Sequence, residues 1–299
     1  MIKGLAITPP IIGRISIGRV IEKNGKRLPE KDDQFTITTQ IQNKDGWLLH
    51  PLDEQLRKDA PGNKLRAIPV RMLFNDPDLN LRAEYSLFDH QTGRPLCVGD
   101  GELCRRQTAE GWEHLPCPGP DQCDIGKQGG CKPYGRLSVR IGDDEDLGVF
   151  VFRTTGYNSI RTLTARLRYY HAISGGLLAT LPLCLRLRGK STTQSHRAPI
   201  YYVDLTTPDD VPLSVAIAQA KQNAERLAME GLSQDALDEA ARAGFGAAAF
   251  EVLEEEGLQV VEEFMPESED EQTTAPENPA GKGGLRERLA ERSLGTGKS

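Results

Sequence analysis

The sequence predicts an α+β protein: a β-rich domain carrying a zinc-binding cysteine insertion, followed by a helical segment and a disordered tail. Three observations carry this. Apolar and polar residues alternate in short runs up to residue 206. Gly and Pro, 30 and 19 of 299 residues, supply the turns that short strands need. Beyond Thr206 the composition changes to Ala, Leu, Glu and Gln, the residues that lose least on entering a helix.

Residues 14–21 (RISIGRVI) and 34–41 (QFTITTQI) have the period-two pattern of half-buried strands, with Asn24-Gly25 marking a tight turn in the polar connection between them. Residues 67–74 and 81–88 repeat the pattern, separated by a turn over 75–80 and followed by another at 90–93. Residues 136–141 alternate most cleanly and form a hairpin with 149–153 across an acidic turn. Asn158 or Ser159 is placed to cap a helix whose apolar positions Ile160, Leu163, Leu167 and Tyr170 share one face, and Gly175-Gly176 stops it. Leu181, Leu183, Leu185 and Leu187 then alternate with Pro182, Cys184, Arg186 and Arg188, and residues 200–205 supply a last strand. Helices are expected over 211–230, 234–243 and 246–263. Residues 266–299 are too polar to repay the entropy of ordering, apart from a transient helix over 285–294. The expected organisation is therefore a core over 1–206 with its insertion at 97–135, an acidic helical segment over 207–265, and a tail over 266–299.

Charge is unevenly spread. The net charge of -6 conceals +6 over residues 1–206, -15 over 207–281 and +3 over 282–299. Residues 147–203 hold eight basic side chains and no carboxylate: Arg153, Arg161, Arg166, Arg168, Arg186, Arg188, Lys190 and Arg197. Arg161 and Arg168 lie seven residues apart on one helical face, while Arg186 and Arg188 share a strand face that leads into Lys190. Such a surface suits nucleic-acid phosphates or the carboxylates of an acidic partner, and an ordinary solvated face is the plain alternative. The chain lacks any uninterrupted apolar run of about 18 residues, and residues 1–18 lack the basic start and apolar stretch of a signal peptide, so a cytoplasmic protein with no membrane contact is expected.

Five of the six cysteines, Cys97, Cys104, Cys117, Cys123 and Cys131, fall within 35 residues. The stretch CPGPDQCDIGKQGGC is nearly devoid of apolar residues, so something other than a hydrophobic core must hold it. A structural zinc, with an apparent binding energy of roughly 10–16 kcal/mol, is sufficient. Cys117, Cys123 and Cys131 are the expected ligands, and Cys97, Cys104 and His114 compete for the fourth place. Cys104 is favoured, because a hairpin of 101–107 and 112–116 about 108–111 projects Cys104 and Cys117 from one face. Buried free thiols are the alternative, and disulfides are disfavoured without a secretion signal. A four-thiolate site is closed and leaves no position for an activated water.

No catalytic residue is nominated. Gly189-Lys190-Ser191-Thr192 resembles the end of a P-loop, but Cys184 stands where that motif needs its first glycine. Asp143, Asp144, Glu145 and Asp146 occupy a hairpin turn, where a solvated charge run is the ordinary explanation. The histidines show no metal-ligand spacing, and no serine lies in a G-x-S-x-G turn.

The strings CPGPDQCDIGKQGGCKPYGRL, FRTTGYNSIRTL and LPLCLRLRGKST, in that order, with CVGDGELCRR upstream, resemble the recombination directionality factor-like proteins of phages and integrative elements that use large serine integrases. The resemblance implies a non-catalytic accessory protein that binds the integrase, usually on DNA, and turns it from integration toward excision. It implies a cysteine cluster at Cys117, Cys123 and Cys131, completed by Cys97 or Cys104. Many relatives bear looser labels such as metal-binding protein or hydrolase. A DNA-binding protein of a phage-type recombination operon and a metal-dependent hydrolase are therefore the rival readings.

Overall fold

A computed structural model of the chain describes residues 10–23, 26–44, 46–142, 148–191, 193, 199–244 and 254–264. In chain order its elements are β1 (Ile11–Lys23), β2 (Lys26–Asn43), β3 (Gly46–Leu49), α1 (Pro51–Asp59), β4 (Ala67–Arg71), α2 (Pro77–Asn80), β5 (Leu81–Phe88), β6 (Pro95–Gly99), β7 (Leu103–Gln107) and β8 (Trp112–Pro116). There follow α3 (Asp124–Gly129), β9 (Lys132–Ile141), β10 (Val149–Thr154), α4 (Tyr157–Ser174), β11 (Leu183–Ser191), β12 (Pro199–Thr206), α5 (Leu213–Met229), α6 (Gln234–Gly244) and α7 (Glu254–Phe264). The fold is mixed α+β, as the alternation predicts. The chain divides into two compact units: Met1–Ala83 with Tyr134–Ala248, and Glu84–Pro133 with Ala249–Ser299. The expected insertion at 97–135 falls almost wholly in the second, whereas the composition boundary at 206 does not separate the units.

In the first unit the two opening strands pair antiparallel, with Ile15 opposite Ile37 and Ile17 opposite Phe35. The expected hairpin is β9 with β10, Val139 opposite Phe150, and β1 lies parallel beside β10. Strand β4 pairs with both β9 and β11, and β11 pairs with β12. The inward residues of these strands make one core that includes Ile15, Phe35, Ile68, Val139, Phe152, Leu185 and Val203. Helix α4 closes it with Leu163, Leu167 and Tyr170, all on the face that their spacing predicts. Gly175, in the left-handed region at φ 69°, ends the helix as expected.

Three features differ from the sequence reading. Gly156, not Asn158 or Ser159, occupies the N-cap of α4. The two polar residues join neighbouring strands instead: the Ser159 hydroxyl accepts from the Val203 amide at 3.1 Å, and Asn158 accepts from Lys190 at 2.8 Å. Helix α1, unforeseen, starts at Pro51 under a cap from the His50 ring. Helices α5 and α6, after residue 206, also belong to the first unit's packing. Ala216 and Ala220 of α5 enter the main core, and Ala241 of α6 packs with Leu73, Phe74, Leu79 and Val149. On α6, Asp238 accepts from the Asn75 and Asp76 amides at 3.0 Å each. Of the expected third helix the described part is α7; the Asn24-Gly25 turn, the acidic turn at 143–146 and the tail over 266–299 lie outside the described residues. Among the described residues no helix is long and apolar enough to cross a membrane.

Asp53 ties α1 to the sheet. It is 1% exposed, accepts from the Ile37 amide at 2.8 Å, and pairs with Arg57 at 2.5 Å. Asp53→Ala leaves the buried Ile37 amide without its acceptor and strips Arg57 of its carboxylate, leaving it Gln34 and the Phe35 carbonyl, and should lower unfolding free energy by about 2–4 kcal/mol in urea titration. A loss below about 0.5 kcal/mol would contradict this account of how α1 is held.

Candidate functional site

The second unit gathers the five clustered thiols. The hairpin forms where expected, β7 and β8 closing through a bond from the Thr108 amide to the Gly111 carbonyl at 2.7 Å. Strand β6 adds to it and sets Gly99 opposite Cys104. There is no room for a side chain at Gly99: a Cβ would lie 2.6 Å from the Cys104 Cβ and 2.8 Å from the Cys117 Sγ. Cys104 and Cys117 therefore share one face, as the hairpin geometry predicts.

The other two thiols flank α3. Cys123 caps this short helix, its Sγ accepting from the Gly126 amide at 3.4 Å, and the Cys131 amide donates to the Gly126 carbonyl at 2.8 Å. A Cβ on Gly126 would sit 3.2 Å from the Cβ atoms of both Cys123 and Cys131. Arg106 donates to Cys97 Sγ at 3.4 Å and to Cys123 Sγ at 3.5 Å. Cys97, Cys104 and Cys117 are buried with Leu87 and Leu96, and Cys131 packs against that small core. Burial, then the neighbouring Cys97, pushes the Cys104 thiol up to about 12; burial followed by the surrounding thiols does the same to Cys131. His114 is exposed on β8 and Cys184 lies on β11, so neither belongs to the cluster. As placed, no group of three or more His, Cys, Asp or Glu side chains among the described residues is arranged to hold a metal ion.

The first unit presents a different chemistry on the sheet face opposite its core. Because side chains alternate, the register that buries Val70 against Ile141 puts Arg71 opposite Arg140 on the other face. The same parity sets Arg136 opposite Arg153, Arg14 beside Val151, and Arg186 and Arg188 opposite Asp204 and Tyr202. Basic residues from β1, β4, β9, β10 and β11 thus share one side of the sheet. On the strand pairs just named, Asp204 is the one acidic residue of that side.

Asp204 is 5% exposed and draws two elements together, accepting from Arg166 of α4 at 3.0 Å and from Arg188 of β11 at 3.3 Å. Its hydrogen bond holds the Arg166 guanidinium above its ordinary pKa. Arg186 pairs with Asp209 at 2.6 Å, and Lys190 lies 5.8 Å from the centre of the Tyr202 ring. Of the α4 residues singled out in the sequence, Arg168 reaches Asp78 at 3.4 Å with both side chains mostly in solvent, a pair of little energetic weight. Arg161 is exposed and has no ionic or hydrogen-bonded partner among the described residues. Exposed Tyr157 and Tyr169 belong to the same helix, which carries no carboxylate. Arg153 is only 7% exposed in a wholly buried strand, so it lies beneath this surface and not on it. Helix and strand do converge, but through Arg166 and Asp204, which the sequence reading did not single out.

Arg14, Arg71, Arg136 and Arg140 were also unforeseen as members of this face. The alternation Arg136-Ser138-Arg140 within an otherwise apolar strand is the signal that marks them.

The family model described as Gp3-like, recombination directionality factor-like, matches residues 12–208. The chain belongs to that family. Membership spans the first unit's strands, the thiol cluster and the basic strand β11, and ends just after β12. No curated protein and no solved structure matches the chain. The resemblance drawn from the cysteine and arginine strings stands, and the family's description suggests a phage recombination accessory role.

The thiol cluster gives a mutational expectation independent of any ligand. Gly99→Ala forces a methyl into the space between Cys104 and Cys117, and should destabilise the second unit by about 1–3 kcal/mol, read as an earlier thermal transition. An unchanged transition would mean that Gly99 is not the close-approach point described.

Proposed function

We propose that this family member is a non-catalytic recombination accessory protein that binds a large serine integrase, DNA or both, through the basic surface bearing Arg161, Arg168, Arg186, Arg188 and Lys190. The observation that carries the reading is the exposed, carboxylate-free outer side of α4, with Arg161 lacking any partner among the described residues. Tyrosine and arginine are the side chains that most often dominate binding energy at interfaces, and both occur here. A directionality switch requires only that the protein bind one integrase conformation more tightly than the other. No proton transfer or nucleophile is needed.

On this reading the thiol cluster is a structural zinc site held by Cys104, Cys117, Cys123 and Cys131, with Cys97 as the substitute ligand. What supports it is the pairing about two glycines: Cys104 with Cys117 at Gly99, and Cys123 with Cys131 at Gly126. Zinc would supply folding free energy to a segment with few apolar residues, and Arg106 would offset thiolate charge. Cys123→Ser or chelator treatment should lower the stability of the second unit and release one zinc per chain, counted by elemental analysis. Metal-free protein that remains folded after chelation would overturn this assignment.

The accessory role is tested in a purified recombination reaction, with a large serine integrase and its paired attachment-site substrates. The protein should inhibit integration and permit excision, and the double charge reversal Arg161→Glu/Arg168→Glu on the exposed side of α4 should abolish both effects while circular dichroism stays unchanged. Gel shift at two salt concentrations separates the DNA-binding rival, because phosphate contacts weaken steeply with salt. Salt-insensitive integrase binding with no shift of free DNA would assign the surface to the protein partner.

A further inference from the structure

Across the basic sheet face, most guanidinium groups have an acceptor from the chain itself, Asp204 serving two of them. Arg140 is different. It is half-buried, its Nε is shut off from solvent with no acceptor, and among the described residues no ion pair or hydrogen bond satisfies its guanidinium. Arg71 stands directly opposite on β4 and is fixed from behind by donating through Nη1 to the Thr180 carbonyl at 2.9 Å. Two like charges opposite each other on adjacent strands repel, and taking one out of water adds a desolvation cost. Burial first, then the Arg71 charge, lowers the Arg140 pKa from its ordinary value. An anion between the two groups removes both penalties at once.

We propose that Arg71 and Arg140 form a preorganised anion site that takes a phosphoryl group. Arginine suits this chemistry because its planar fork offers parallel N–H donors to two oxygens of one phosphate. Both residues remain partly exposed, so a phosphoryl group has access from solvent. The site is distinct from the surface of α4 and β11 and does not depend on the recombination reading, since occupancy is measured by ligand-linked stability and not by recombination outcome. Two sources share the chemistry, free inorganic phosphate and the backbone of nucleic acid.

The test is thermal melting of the full chain in chloride buffers of matched ionic strength, with inorganic phosphate in one arm and a short DNA duplex of arbitrary sequence in the other. Phosphate at about tenfold excess over its dissociation constant should raise the melting temperature by about 3 °C or more, and Arg140→Gln should erase that rise. Without added anion Arg140→Gln should melt no earlier than the parent, because the replaced guanidinium has no partner to lose. A rise with duplex alone, equally erased by the substitution, supports the site with a phosphodiester as its source. Stabilisation by neither ligand overturns the proposal. So does an Arg140→Gln protein that melts several degrees early in plain chloride, which would show that a carboxylate of the chain already fills the place.

Discussion

The strict alternation of side chains along a strand governs this molecule. Once Ile15, Val70, Val139, Phe152 and Leu185 commit to one core, their neighbours Arg14, Arg71, Arg140, Arg153 and Arg186 have no choice of side. Shifting any of these strands by one residue would put a guanidinium into the core, at a cost that no single lost hydrogen bond approaches. The hydrophobic demand therefore fixes the register, and the register writes the charge pattern of the opposite face.

That pattern explains why whole-chain charge is a poor guide to this protein. A net of -6 predicts a surface that repels phosphate, yet the side of the sheet away from the core is rich in arginine. Counter-charges come from chosen points. Asp204 accepts from one helix and one strand, and Asp209 and Asp78 each meet one further arginine. These pairs order the surface more than they stabilise it, because exposed ion pairs are each worth at most about 1 kcal/mol. The buried carboxylate is the exception, since two guanidinium groups depend on it for position.

The strands were legible in the sequence because their signals are local. Residues 14–21, 34–41 and 136–141 repeat with period two over six to eight residues, and the hairpin of β7 and β8 is announced by a polar turn that ends in glycine. What could not be read depends on partners distant in the chain. Asn158 and Ser159 have the chemistry of helix caps, and only the placing of β11 and β12 beside the helix shows that they bond to Lys190 and Val203. The pairing of Arg71 with Arg140 joins residues 69 apart, and neither carries a mark of it. Helix α1 was hidden for another reason. Its nine residues offer the core only half-buried Leu52 and Leu56, and its one fully buried side chain is the polar Asp53, too short an apolar stripe to advertise it.

The two units meet different physical problems in consistent ways. The first buries enough aliphatic and aromatic surface to hold its register without help, which frees its other face for charge. In the second, five sulfur atoms stand where a larger domain would place leucine, with Leu87 and Leu96 among the few aliphatic residues beside them. A small cluster of buried thiols gives up little surface to hydrophobic burial, and burial pushes the Cys104 and Cys131 thiols up, away from the charged form. A divalent ion reverses both deficits, because thiolates bind it and the segment is then crosslinked through its own ligands. Rigidity of that origin would suit the proposed accessory role, in which the protein acts by contact alone. A partner can be driven between two conformations only by a surface that does not itself yield, since any strain absorbed by the factor is subtracted from the difference in affinity that does the switching.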